Sequence, residues 1–141
     1  MASIADIRTG LRANLVAAGF NDVNLYTTSN PAPPCIELDL DPEGVTFDEA
    51  FNRGLVSIDM LVRAVIADMV DVEAQVKLDT YIDGAASTDI KKAIEADRSL
   101  GGAAVDCRVV NVQPRRYKSE TTGGLLVGAE WTVRVLATGT S

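Results

Sequence analysis

The sequence predicts an α+β domain with a single mixed or antiparallel sheet of about four to five strands. An N-terminal helix and a two-helix crossover pack on that sheet, and a C-terminal hairpin projects from it. Three observations carry this. Residues 3–18 repeat apolar side chains at helical spacing. Residues 55–67 and 125–137 are long β-branched runs with a period of two. Between those runs, Asp71 to Val112 reads as helix, break, helix, double glycine and strand, a crossover that sets both helices on one face of one sheet.

In the first helix, Ser3 to Ala18, the stripe is Ile4, Ile7, Leu11, Leu15 and Val16. Ser3 with Asp6 resembles a capping box, and Gly19 is the stop. A short strand is expected at Asn24 to Thr27, followed by a stiff loop through Pro31, Pro33 and Pro34. Ile36, Leu38 and Leu40 then alternate with Glu37, Asp39 and Asp41, which places an apolar face inward and a line of carboxylates outward. Asp41 to Gly54 reads as a long connection carrying Phe47 and Phe51. In the strand Leu55 to Ala67, one face is Val56, Ile58, Met60, Val62, Ala64 and Ile66.

Asp71 and Gly84 bracket a helix with Val72, Gln75, Leu78, Tyr81 and Ile82 near one stripe. Ser87 caps the next helix, whose buried side is Ile90, Ala93 and Ile94. Leu100-Gly101-Gly102 turns the chain into a strand from Ala104 to Val112. Gln113 to Gly124 is expected to be a polar loop, and the strand Leu125 to Ala137 closes an antiparallel hairpin whose tip holds most of the local positive charge.

Composition narrows the chemistry. The 141 residues suit one domain, 1–141, which buries roughly two thirds of its unfolded surface. A net charge of −7 opposes broad binding to a phosphate backbone. No apolar run reaches the ~18 residues that span a bilayer, and Ser3, Asp6 and Arg8 break up the N-terminus, so neither a membrane anchor nor a signal peptide is expected. The chain has no histidine, which excludes Ser-His-Asp and Cys-His nucleophilic sites and the HExxH zinc helix. Cys35 and Cys107, the two cysteines, fall in strands and read as small buried hydrophobes without a disulfide.

Asp39-x-Asp41-x-Glu43-Gly44 matches the start of an EF-hand loop, but Ala50 stands where the bidentate carboxylate belongs, so no metal and no other cofactor is expected. Asp48, Glu49, Asp68 and Asp71 show no convergence for acid-base work, and no catalytic activity is expected. Arg115-Arg116-Tyr117-Lys118 mixes cations with an aromatic, as nucleic-acid contacts do, or forms a solvated hairpin tip. Phe47 and Phe51, four apart, either cap this domain's own core or anchor a neighbouring subunit.

With these residues in hand, the chain resembles the tail terminator proteins of long-tailed actinobacterial phages. Three stretches carry the resemblance. One is Ala2 to Arg8 with the loop Pro31 to Pro34; the second is Phe47-Asp48-Glu49-Ala50-Phe51-Asn52-Arg53-Gly54; the third runs from Lys77 to Gly84 and on through Lys91 to Asp97 and Leu100 to Ala103. None is a catalytic signature. The resemblance implies a structural virion subunit of the lambda-type tail terminator fold, assembled in the host cytoplasm. As a ring, of six copies in the family, it caps the head-proximal end of the tail tube, stops its polymerisation and joins the tail to the head-neck connector.

Expected partners are further copies of the chain, the major tail tube protein and the connector or stopper proteins, with genomic DNA passing through the lumen without specific binding and no membrane involved. Interface candidates are Phe47, Phe51, Arg53, Arg115, Arg116, Tyr117 and Lys118. A head-to-tail stopper or other tail-completion protein is the alternative within this class, and a small cellular binding module or enzyme is the alternative outside it.

Overall fold

The computed structural model describes residues 4–20, 22–26, 35–46, 55–67, 72–83, 89–118 and 125–138. It is an α+β fold with one mixed five-stranded sheet among the described residues, in the order β1-β2-β3-β5-β4. The strands are β1 (Val23–Asn24), β2 (Cys35–Thr46), β3 (Leu55–Ala67), β4 (Asp106–Lys118) and β5 (Leu125–Thr138). β1 runs parallel to β2, and every other pair is antiparallel. The helices are α1 (Ile4–Ala17), α2 (Val72–Ile82) and α3 (Ile90–Ile94), with a tight turn at Leu100–Gly102.

The period-two pattern sorts the sheet into two faces. Val56, Ile58, Met60, Val62, Ala64 and Ile66 of β3 meet Val127, Ala129, Trp131, Val133 and Val135 of β5 in one core. Ile7, Leu11 and Leu15 of α1, Leu78 and Tyr81 of α2, and Ile90, Ala93 and Ile94 of α3 close over that same face. α2 and α3 therefore share one side, as the crossover pattern requires, and α1 joins them there. Phe20 and Tyr81 join α1 to α2 edge to face, with ring centroids 5.3 Å apart.

Several expectations are corrected. β2 does not end at Asp41 but runs to Thr46 through an irregularity between Leu40 and Val45, where Pro42 and the positive-φ Gly44 (φ 69°) are accommodated. The outward line of carboxylates is broken at Glu37, which is 1% exposed and lies across from Arg63 in the register. α3 is capped by Asp89, whose carboxylate accepts from the amides of Lys91 (3.2 Å) and Lys92 (3.4 Å); Ser87 lies outside the described residues, as do Ser3, Asp71 and Gly84. In α2, Val72 and Gln75 are exposed, and burial falls to Leu78 and Tyr81. Val16 of α1 is also exposed.

Two polar residues that the stripe reading omitted lie on the buried side of α1. Arg8 is 6% exposed, donates through Nη1 to the carbonyls of Leu25 and Leu38 (2.8 Å to Leu38), and sits 4.2 Å over the Tyr26 ring. Asn14 donates from Nδ2 to the carbonyls of Ile94 and Asp97, both at 2.9 Å, and so satisfies the C-terminal end of α3. Both positions fit the α1 stripe when it is counted as 4, 7, 8, 11, 14 and 15.

At the tight turn, Leu100 takes φ 51°, costly for a branched side chain. Its side chain is buried, and α1 approaches so closely that a Cβ on Gly10 would stand 2.5 Å from the Leu100 carbonyl oxygen. The Asp97 carboxylate braces this turn by accepting from the Ser99 hydroxyl (2.7 Å), the Ser99 amide (3.1 Å) and the Gly101 amide (3.0 Å). Those bonds, the Ser99 hydroxyl first, hold its carboxyl below the usual range.

Candidate interface surface

Away from the helices, the other face of the sheet is polar and tied together across strands in its middle, while its Cys35–Val65 end is a small buried apolar cluster. Arg134 of β5 donates to Asp59 of β3 (3.2 Å), and Arg63 of β3 donates to Glu130 of β5 (3.3 Å). Arg115 of β4 reaches the other Glu130 oxygen at 3.9 Å and also bonds the Gln113 side-chain oxygen. Arg63, Glu130, Arg115 and Gln113, with Asp39, Asp41, Leu61 and Thr132, line a groove of about 400 Å³ that runs from β2 to β4.

The expected hairpin tip is reorganised. Arg115, Arg116, Tyr117 and Lys118 are not in a loop, because β4 continues to Lys118, with Arg115 opposite Gly128 and Lys118 opposite Leu125. The expected polar loop is therefore replaced, up to Lys118, by paired strand. The side chains of Arg116, Tyr117 and Lys118 lie outside the described residues, as do Phe47, Phe51 and Arg53 altogether.

Asp39 and Asp41 stand in β2, where the Asp39 carboxylate accepts from the Leu40 amide (2.8 Å), and among the described residues no three potential metal ligands come together. Cys35 and Cys107 are both free thiols and buried. Burial first, then the nearby carboxylates of Asp106 and Glu95, push the Cys107 thiol up to about 11, which leaves it un-ionised and poorly nucleophilic at neutral pH. Burial also acts on Glu95, but its bonds from Lys91 (2.5 Å) and the Val109 amide (3.0 Å), with the charges of Lys91 and Arg98, outweigh it and hold the carboxyl below its ordinary value.

The chain matches no protein-family model, and it matches no characterised protein sequence. Among the described residues, no helix is long and apolar enough to cross a membrane.

Proposed function

We propose that the chain is a structural virion protein, a tail terminator that closes into a ring of about six copies on the head-proximal end of a phage tail tube, stops tube growth and docks the head-neck connector. The observation that carries this reading is the division of the sheet. One face is covered by the protein's own helices, and the other, beyond a buried end at Cys35 and Val65, presents an ion-paired polar groove from β2 to β4, the kind of surface that reads out charge on a neighbour. The sequence resemblance supports it independently, and so does a pair of unlike sheet edges, since a closed ring needs heterologous contacts.

In this reading the subunit is not an enzyme, needs no cofactor, and lets DNA pass without binding it specifically. Its partners are its own copies, the tail tube protein and the connector. The test is the mass of the particle in solution at micromolar concentration, alone and with tail tube protein. A ring that caps tubes and limits their length is expected. A monomer in both conditions overturns the proposal, and a ring that binds the connector but ignores the tube makes it a stopper instead.

A further inference from the structure

Side chains close the outer backbone of β4 and of β2 in the same way. On β4, the groups that turn away from β5 at Cys107 and Val109 are taken within the chain. The Cys107 amide donates to Asp106 (2.9 Å), the Cys107 carbonyl accepts from Arg98 Nε (3.2 Å), and the Val109 amide donates to Glu95 (3.0 Å). On β2, beyond its short pairing with β1, the Leu38 carbonyl accepts from Arg8 Nη1 (2.8 Å) and the Leu40 amide donates to Asp39 (2.8 Å). In each case an arginine takes a carbonyl and a carboxylate takes the amide two residues on, the alternation of donor and acceptor that a neighbouring strand supplies. Further along, each strand has a register shift and a proline without an N–H: Val109/Asn111 with Pro114 on β4, and Leu40/Val45 with Pro42 on β2.

The two closures differ in where their parts come from. On β2, Asp39 belongs to the strand itself and Arg8 is buried under it. On β4, which ends the sheet, both Glu95 and Arg98 are supplied from outside the strand, by the C-cap of the five-residue α3 and by the segment just after it. Each is held in place by a second ion. Lys91 bonds Glu95 (2.5 Å), and Arg98 makes a bidentate pair with Asp106 (2.7 and 2.9 Å). Asp97, the remaining carboxylate there, is committed to the turn at Ser99 and Gly101. The charges of this cluster therefore balance among themselves, and their shared product is a strand edge with its backbone groups occupied.

We propose that Glu95 and Arg98 form an autoinhibitory lock on β4, and that without it the Cys107–Val109 edge pairs with the same edge of a second copy of this chain. Antiparallel pairing centred on Arg108 sets the Cys107 carbonyl of each copy against the Val109 amide of the other, so the groups that the lock releases satisfy one another. Arg108, exposed between them, then faces its own counterpart, and that like-charge contact is a second guard on the same edge. The lock acts in a monomer or in a ring alike, because it suppresses sheet extension rather than building a ring contact.

The test compares two variants of the full chain: Arg108→Thr, which keeps the lock, and Glu95→Ala/Arg98→Ala/Arg108→Thr, which has the same net charge and lacks it. Self-association is read by native mass measurement across concentration, folding by thermal melting, and strand pairing by hydrogen exchange of the Val109 amide. The triple variant should associate roughly tenfold more tightly than Arg108→Thr, since two backbone groups per copy gain partners. Its Val109 amide should exchange slowly in the associated form and quickly after dilution. Glu95→Gln/Arg98→Lys/Arg108→Thr, which retains an acceptor and a donor, should match Arg108→Thr. Should the triple variant fail to fold, Glu95→Ala/Arg108→Thr frees the Val109 amide alone and serves in its place. A folded unlocked variant that associates no more tightly than Arg108→Thr, one whose Val109 amide stays unprotected on association, or a conservative variant that associates as the unlocked one does, overturns the lock. The wild-type mass that tests the ring does not enter this comparison.

Discussion

The two faces of β3 and β5 share one backbone and differ in every other respect. On the covered face, even-numbered β3 residues interlock with Trp131, Val133 and Val135 under three helices, and stability comes from apolar area and close packing. On the open face, Asp59, Arg63, Glu130 and Arg134 are joined in cross-strand pairs whose members remain partly accessible. Screened pairs add little to folding but offer oriented charge to a partner. Residue parity thus separates the helix-covered apolar face from the face that carries the ion pairs.

The sharpest way to break this comparison is through the covered face. Trp131→Ala removes the largest fully buried side chain, 1% exposed, and is expected to cost about 3–5 kcal/mol in chemical denaturation. A loss comparable with that of an open-face variant would mean the faces are not distinct.

The Cys107 thiol gives a second measure. Its ordinary value is 9.0 and its folded value about 11, so the folded state keeps a proton that the unfolded state releases. Stability from this group is complete below about pH 9 and falls as pH rises toward 11, by up to roughly 2–3 kcal/mol. The difference between wild type and Cys107→Ala, followed by denaturation from pH 7 to 11, should shrink over that window; a constant difference would mean the thiol ionises freely in the folded state.

Gly10→Ala sets two effects against each other. Alanine gains about 1 kcal/mol in helix propensity. The new Cβ meets the Leu100 carbonyl oxygen at 2.5 Å, and such overpacking costs about 1–3 kcal/mol, so a net loss of roughly 1 kcal/mol is expected in a thermal melt. A rise in melting temperature would show that the turn yields easily.

The smallest effect belongs to the open face. A double-mutant cycle on Asp59→Ala and Arg134→Ala should give a coupling of about 0.2–1 kcal/mol, since the Arg134 side chain is 47% exposed. A coupling of several kcal/mol would make the open face part of the stabilising core.

Much of this architecture was legible in sequence because periodicity is local. Residues 55–67 form a strand with the anticipated inward face, α1 forms with Gly19 at φ 105° behind it, and Ile90, Ala93 and Ile94 are buried as their spacing required. Parity along the β3 and β5 runs already implied one apolar face and a second that Ser57, Asp59 and Arg63 mark as polar and Leu61 and Val65 cover in part. Chain order and hydropathy together also implied that α2 and α3 share one side of the sheet.

What tertiary structure alone decided is where opposite groups meet across strands. Nothing local in Glu37 distinguishes it from Asp39, yet register sets Glu37 across from Arg63, and Glu37 is buried. Polarity suggested that residues 113–118 were a loop, but pairing with β5 extends them as a strand. The opposition of Arg108 and Arg134 depends on hairpin register and on the shift after Val109. A one-residue slip in pairing moves every side chain to the other face, and that choice is made by the whole sheet rather than by any segment of it.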